Sequence, residues 1–239
     1  MVDVRKSLAR VVAFALFAGL LAGSAISADA QQKKQRRPRR ETNASREARI
    51  ARATAFTYSA KYEIFGGGGF LRFRSGEFTQ KNNEVSWAAQ GNYFLNPKFS
   101  VVGDARGSFG NAKPIRDNNF NIQAPHPQIN EYNFMGGVGY RFYAKEKIAV
   151  SVQGVGGVGW GIFSGGAKGL TGTQVGLWSD GYRPMFAGNL VVDYNAYPNI
   201  AVRLMPTYVA TMFTSPSGGN IQSNIGFNAG ILYRFGRPK

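Results

Sequence analysis

The sequence predicts an all-β fold: a closed, up-and-down antiparallel transmembrane β-barrel of eight strands, preceded by a signal peptide and a disordered basic segment. Three observations carry this expectation. From about Tyr58 onward, short segments alternate apolar and polar residues with period two. In those segments nearly all the charge falls on one face, opposite a face rich in aromatic and branched side chains. The links between them alternate between long and short. The chain accordingly divides into a signal peptide over residues 1–30, a basic, disordered segment over residues 31–57, and the barrel over residues 58–239.

Within residues 1–30, Arg5, Lys6 and Arg10 precede an apolar run from Val11 to Leu21, and Ala28-Asp29-Ala30 supplies a small-x-small cleavage site. A membrane-spanning helix needs about twenty consecutive apolar residues. This stretch is shorter and is broken by Gly19, Gly23 and Ser24, so a cleaved secretory signal is expected. The chain has no cysteine, which excludes a lipid anchor on a thiol, disulfides, thiolate metal sites and thiol catalysis.

The formal charge of +16 is unevenly placed. Residues 31–54 hold nine basic and two acidic side chains, against three and two in residues 1–30 and seventeen and nine in residues 55–239. Gln31 to Arg40 has almost no apolar surface to bury, so nothing offsets the entropy of ordering it. Behind an export signal, Lys33, Lys34, Arg36, Arg37, Arg39 and Arg40 would make an anionic periplasmic contact, with lipid, lipopolysaccharide or peptidoglycan, and not bind nucleic acid. A solvated linker held open by charge repulsion explains the composition equally well. Arg46 to Ala55 could form a short helix, too polar to stand alone.

The strands follow from the apolar face. In the last, Ile225, Phe227, Ala229, Ile231, Tyr233 and Phe235 oppose Asn224, Gly226, Asn228, Gly230 and Arg234, and Leu232 breaks the rule. Alternation of that length suits a membrane-crossing strand of about nine to eleven residues. Upstream, Trp87, Ala89, Gly91, Tyr93 and Leu95 oppose Ser86, Gln90 and Asn92, while Val101, Ala105 and Phe109 oppose Asp104, Arg106 and Ser108. Phe134, Val138, Tyr140 and Phe142 oppose Asn133, Gly137, Gly139 and Arg141. Ile148, Val150, Val152, Val158, Trp160 and Ile162 oppose Ser151, Gln153, Gly157 and Gly161. Phe186, Leu190, Val192 and Tyr194 oppose Asn189 and Asp193, and Ile200, Val202, Leu204, Tyr208 and Met212 oppose Arg203, Thr207 and Thr211. In the first strand Tyr62, Ile64 and Phe70 alternate with Lys61, Glu63 and Phe65, and Gly66 to Gly69 could mark a bulge or tight bend.

Short turns are expected at Asn96-Pro97-Lys98, Ala144-Lys145-Glu146-Lys147 and Tyr197-Pro198-Asn199. Longer polar links are expected from Arg74 to Glu84, Asn111 to Asn130, Ser164 to Arg183 and Thr214 to Ser223. With the short turns on the periplasmic side, this order puts both termini there too.

The polarity of the two faces separates a membrane barrel from a soluble one. A soluble barrel keeps its apolar face inside, whereas a lipid-facing barrel has a polar lumen and aromatic belts at the interfaces. The expected lumen charge network is Glu63, Asp104, Arg106, Arg141, Asp193, Arg203 and Arg234, joined by Gln90, Asn92, Gln153 and Asn189. In a narrow lumen these groups can pair; facing hydrocarbon they would be strongly unfavourable. Tyr93, Tyr140, Phe142, Trp160, Phe186, Tyr194, Tyr208, Tyr233 and Phe235 supply interfacial girdles.

Residues 58–239 resemble bacterial eight-stranded outer-membrane β-barrels, such as the membrane domain of outer membrane protein A and the porin-like barrels. The resemblance is carried by Gly69-Phe70-Leu71-Arg72-Phe73, Phe99-Ser100-Val101-Val102-Gly103-Asp104, the run from Tyr132 to Phe142, and Gly230-Ile231-Leu232-Tyr233-Arg234-Phe235. It implies export and insertion by the barrel-assembly machinery, with Ile231, Tyr233 and Phe235 as a candidate assembly signal. Related barrels often end on an aromatic residue, whereas here Gly236-Arg237-Pro238-Lys239 follows Phe235.

Catalysis is poorly supplied. A lipid hydrolase needs a serine beside a histidine base, and the single histidine, His126, lies between Pro125 and Pro127 in a long link with no serine close in sequence. The glycines at 154, 156, 157, 159 and 161 alternate inside a strand, not between a strand and a helix start as a phosphate loop requires. No enzyme activity, cofactor or metal is expected. An eight-stranded barrel is just wide enough to be filled by side chains, so the leading expectation is a non-enzymatic barrel serving envelope structure, adhesion or surface binding. Lys113, Arg116, Lys168 and Asp180 are the exposed charges that could meet lipopolysaccharide or outside ligands. A narrow porin-like channel and a soluble periplasmic lipocalin-like carrier are the alternatives.

Overall fold

Period-two alternation becomes strand at every predicted position in the computed structural model, which describes residues 42–76, 79–114, 127–165, 171–173, 176–215, 218–219 and 221–237. Helix α1 (Asn43–Thr57) comes first, followed by eight barrel strands: β1 (Tyr62–Arg74), β2 (Thr79–Phe94), β3 (Phe99–Asn111), β4 (Gln128–Ala144), β5 (Ile148–Gly165), β6 (Gly181–Tyr197), β7 (Ile200–Thr211) and β8 (Gln222–Phe235). Two-residue pairings at Lys113–Pro114, Thr214–Ser215 and Gly218–Gly219 decorate the longer links. Each strand pairs antiparallel with its neighbour in sequence, and β1 also pairs with β8 from Tyr62↔Phe235 to Arg72↔Ile225. The sheet is therefore closed, and no strand edge is left to face hydrocarbon without a hydrogen-bonding partner.

The strands are longer than a membrane crossing requires. Strands β4, β5 and β6 have 17, 18 and 17 residues, against about nine to eleven for a spanning strand, so they run on past the bilayer toward the longer links. This corrects the first long link: β2 begins at Thr79, leaving residues 75–78 where Arg74 to Glu84 was expected. The turns at the other end are tight. In one of them Asn96 Oδ1 accepts hydrogen bonds from the backbone N–H groups of Lys98 and Phe99, at 2.9 and 2.8 Å.

Burial alternates along the strands, and its polarity is inverted. The buried set includes Glu63, Asp104, Arg106, Arg141, Asp193, Arg203 and Arg234, while Ile64, Phe134, Val138, Phe186, Ile225 and Ile231 stand exposed. Leu232, which broke the polarity rule, points inward and packs in an apolar cluster with Phe65, Ala88, Val191, Ala201 and Met205. Aromatic rings gather in two belts. Near the short turns, Tyr62 lies 5.3 Å from both Tyr93 and Phe235, and Phe99 lies 4.8 Å from Tyr140. Toward the other end, Phe109, Tyr132, Trp160 and Tyr182 form a chain with centroid spacings of 5.6, 5.7 and 5.7 Å. Tyr132 and Tyr140 sit on the same strand, β4. At about 3.3 Å per residue and a tilt of about 40°, their separation corresponds to roughly 20 Å of height, within the apolar band of about 25 Å of membrane barrels.

Two further expectations are corrected. The segment over residues 31–57, expected to be disordered, contains a helix at Asn43–Thr57, which extends the helix expected at Arg46 to Ala55. Its polar faces find support at its end, where Thr57 is buried and Phe56 stacks under the Arg237 guanidinium at 4.1 Å. Gly66 to Gly69 makes neither bulge nor bend. Its pairing runs unbroken with both β2 and β8, and the glycines answer a different need, close approach of backbones at the seam. A methyl group on Gly230 would sit 2.1 Å from the Gly66 carbonyl oxygen, and one on Gly67 2.3 Å from that of Ala229, whereas one on Gly66 meets nothing within 4 Å. Gly230→Val should therefore block closure of β1 on β8, read as loss of the compact, fast-migrating form in unheated gels, while Gly66→Ala should fold like the parent protein.

Candidate functional site

Among the described residues, the lumen gathers the densest set of charged side chains, and it is built in layers from the short-turn end. In the first layer, Glu63 of β1 accepts hydrogen bonds from Arg141 of β4 at 2.6 Å, Arg203 of β7 at 2.9 Å and Arg234 of β8 at 2.9 Å. Asp193 of β6 takes the other side of Arg203, at 2.7 and 2.9 Å, and reaches Arg234 at 3.5 Å. Alternation alone puts these five side chains inside; cross-strand register, such as Glu63↔Arg234 and Asp193↔Arg203, puts them side by side. Because all five are nearly solvent-free, each charge depends on the others for what water would otherwise supply.

Tyr58, just after α1, closes this end. Its hydroxyl donates to the Lys145 carbonyl oxygen at 2.8 Å and accepts from Asn195 Nδ2 at 2.8 Å. The Arg141 and Arg234 guanidinium carbons lie 4.7 and 5.4 Å from its ring centroid. Burial pushes the Tyr58 phenol up from its ordinary value, against the opposing pull of the Asn195 hydrogen bond and the two arginines, so it stays protonated and able to donate.

The second layer is a mesh of amides around one ion pair. Arg106 bonds Asp104 through two nitrogens at 2.7 and 2.8 Å and reaches Asn189 at 3.0 Å and Thr207 at 3.2 Å. Gln90 links Asp104, Gln153 and Arg203, each at 2.9 Å, and Asn92 approaches Gln153 at 3.4 Å. Above it lies a cavity of about 10 Å³ lined by Arg106, Asn133, Met185 and Thr207, space for about one water. The third layer is apolar. Phe73, Phe163 and Phe213 pack at centroid distances of 6.1, 6.3 and 5.0 Å, and Leu177 and Trp178, from the link between β5 and β6, fold down onto them. Trp178 Nε1 donates to the Arg74 carbonyl oxygen at 2.6 Å, and Trp178 N to that of Ser75 at 3.0 Å.

Sequence reasoning missed Leu177 and Trp178 as a lid and Tyr58 as a stopper, and it missed two buried carboxylates, Glu84 and Glu131. The signal for the carboxylates was present. Asn82 and Glu84 continue the inward parity of Ser86 and Gln90, and Glu131 that of Asn133. Glu84 falls in the expected link from Arg74 to Glu84, which is strand from Thr79 onward, and Glu131 lies between the expected link ending at Asn130 and the inward set that starts at Asn133.

Asp180 is not a free exposed charge, since its carboxylate accepts from Phe163 N and Ser164 Oγ, both at 2.6 Å. Lys113 lies in a two-residue pairing with Gln80. Arg116, Lys168, His126 and the basic cluster from Lys33 to Arg40 fall outside the described residues. Ile231, Tyr233 and Phe235 stand on the outer face of β8. At the long-link end, an open pocket of about 270 Å³ is lined by Arg74, Lys81, Trp178, Gln222, Ser223 and Asn224, among others.

No family model and no curated protein sequence matches the chain. Solved structures do. Neisserial surface protein A aligns with a TM-score of 0.50 at 14% identity, over 74% of this chain and 98% of that one. The outer membrane protein OprG from Pseudomonas aeruginosa aligns with a TM-score of 0.50 at 12% identity, over 74% of this chain and 96% of that one. The chain has the fold of the bacterial eight-stranded outer-membrane β-barrels, and its inverted surface makes it a membrane barrel.

The layered lumen has a measurable energetic signature. Glu63→Gln removes an anion shared by three arginines and should lower the unfolding free energy by about 3–5 kcal/mol, read from urea titration in lipid vesicles. Replacing Asp104 and Arg106 together by leucine should cost less than either single replacement, because the double variant leaves no unpaired buried charge.

Proposed function

We propose that this protein is a non-enzymatic integral outer-membrane barrel that keeps its lumen shut with its own side chains and serves envelope structure, adhesion or surface binding from its long-link end. One observation carries the reading: an apolar, aromatic-belted exterior surrounds an interior closed at one end by Tyr58 and the Glu63 cluster and at the other by the Phe73, Phe163 and Phe213 trio. A soluble carrier would invert that arrangement, with polar residues where Val85, Phe134, Val138 and Ile225 stand more than half exposed. A channel needs a water-filled path, and Arg141, Arg203 and Arg234 occupy the cross-section.

In this reading the short turns and both termini are periplasmic, and the basic segment around Lys33 to Arg40 meets anionic envelope components there. Ile231, Tyr233 and Phe235 present the outward stripe of the last strand to the barrel-assembly machinery. Binding falls to the long-link end, where Arg74 and Lys81 border the open pocket and suit anionic groups such as the phosphates of lipopolysaccharide. A catalytic role finds no support in the residue set, which offers one histidine and no cysteine.

Reconstituted in planar bilayers, the full protein should be electrically silent. Steady conductance whose ion selectivity shifts in Arg141→Ala or Asp193→Ala would overturn the sealed-lumen reading. Arg74→Ala combined with Lys81→Ala should reduce retention of lipopolysaccharide on the folded barrel several-fold, measured by co-purification from mixed micelles, without changing gel mobility.

A further inference from the structure

The seam between β1 and β8 is incomplete at its long-link end. Its pairing stops at Arg72↔Ile225, so Phe73 and Arg74 pair in the sheet only with β2, and Gln222 to Asn224 only with β7. The open pocket of about 270 Å³ lies in this split, with Arg74 and Lys81 on one side and Gln222, Ser223 and Asn224 on the other. Lys81 crosses it, its Nζ donating to the Ser223 carbonyl oxygen at 2.9 Å, which leaves further ammonium donors for a ligand. Asn224, on the pocket wall, is fully buried, and its Oδ1 has no hydrogen-bond partner among the described residues.

Three cations edge the split from outside. Arg72, Arg74 and Lys81 all follow the outward parity of their strands and are exposed. Register sets Arg74 directly opposite Lys81, and Arg72 is the preceding outward residue of β1. None of the three forms an ion pair among the described residues. The link between β1 and β2 adds one carboxylate, Glu77, outside the described residues, so positive charge stays in excess.

Register also fixes the height of these cations. Following paired residues once round the barrel from Tyr62, through Tyr93, Val101 and Val138 and on to Ile225, leads back to β1 at Arg72, ten residues further along. The strands tilt with that stagger, so a level line climbs about one residue per strand relative to the pairing. Phe109 gives the direction: it lies two residues nearer the long-link end than Gly107, the partner of Tyr132, yet it is the ring that meets Tyr132. Pairing carries Tyr132 through Gly107 and Trp87 to Gly68, and the climb over three strands raises that level on β1 to about Arg72. The cations therefore stand at and just above the aromatic belt, where lipid headgroups lie.

Below them the outer wall is bare. A methyl group on Gly66 would meet nothing within 4 Å, and one on Gly68 only the Ser86 carbonyl oxygen, at 3.4 Å. Gly68 pairs with Ala229 and Gly66 with Ala89, which leaves a shallow groove between Ile231 on β8 and Trp87 on β2. Phe70 and Phe227, with ring centroids 6.4 Å apart, give a flat apolar surface between this groove and the cations.

We propose that the split end of the β1–β8 seam binds one phosphorylated glycolipid of the lipopolysaccharide class, with its phosphates on Arg72, Arg74 and Lys81 and an acyl chain along Gly66 and Gly68. The proposal rests on the reading of this end as the outward, anion-binding one, and adds entry from the plane of the membrane. Guanidinium groups hold phosphate through paired N–H donors. Three cations together match a headgroup with more than one phosphate better than a singly charged phospholipid. Asn224 Oδ1 supplies an acceptor for a sugar hydroxyl or amide N–H.

The test mixes the full chain, folded in detergent, with bisphosphorylated lipid A and counts the retained lipid by native mass spectrometry. Wild type should hold a single lipid A per chain and prefer it to phosphatidylglycerol. Arg72→Ala should lower retention at least about fivefold, and so should Gly66→Leu, which fills the groove and touches no cation, while both keep the compact band in unheated gels. If Gly66→Leu does not fold, Ala89→Leu fills the same groove from β2 and replaces it. The acyl-free glucosamine disaccharide bisphosphate should displace little of the bound lipid at equal concentration. The seam site is overturned if Arg72→Ala and the groove variant retain lipid A like wild type, if the acyl-free sugar competes as well as lipid A, or if phosphatidylglycerol is held equally well. Should Arg74→Ala with Lys81→Ala still reduce retention in that case, the anion-binding pocket stands without the seam site; should that pair change nothing either, the binding role of the long-link end falls as well.

Discussion

Glu63 is the point on which the interior depends. It is a single carboxylate from the first strand, and the guanidinium groups it holds come from β4, β7 and β8, which lie across the barrel and at its closing seam. The exterior must be apolar to face lipid, so the polar half of every alternating strand is forced inward. A space too narrow for bulk water then has to neutralise those groups with one another. Ion pairing at one level, amide bonding at the next and aromatic packing at the third are three answers to that one constraint. Glycines contribute to the fit, as at Gly139, where an added methyl group would meet Ser100 and Gln153.

This layering bears on what such a barrel can do. Transport through the lumen requires a path for water, while here the arginines are fixed by several acceptors each and the small cavity above the second layer has room for about one water. The long-link end is the larger rim, where β4 to β6 are longest and the segment carrying Leu177 and Trp178 folds over the mouth. Recognition is more easily built on such a rigid rim than in a packed core.

Much of the barrel was legible because a strand facing lipid on one side writes its polarity into every second residue. The inward placement of Asp104, Arg203 and Arg234 could be read from parity, and so could the lipid exposure of Phe134 and Ile231. Parity says nothing about how far a strand continues once it leaves the bilayer, since outside the membrane the outward face can be polar as well. That is why Thr79 to Glu84 reads as a link, and why Asn82 and Glu84 escape notice. Nor does parity give register, so it could collect the charged residues without saying that Glu63 would take three arginines and Asp104 only one. The stopper and lid were out of reach for another reason: Tyr58, Leu177 and Trp178 lie outside the alternating strands, and their burial is decided by tertiary contact alone.

The seam between β1 and β8 carries one further implication. Glu63 is on the first strand of the barrel and Arg234 on the last, and they become cross-strand partners only when the sheet closes. Until that moment Asp104 with Arg106 and Asp193 with Arg203 can already pair, but Glu63 lacks the Arg234 that only the finished seam supplies. Partial insertion is therefore penalised and complete insertion rewarded in a single step, which makes assembly close to all-or-none. The Glu63–Arg234 bridge can form only where the first and last strands stand in register.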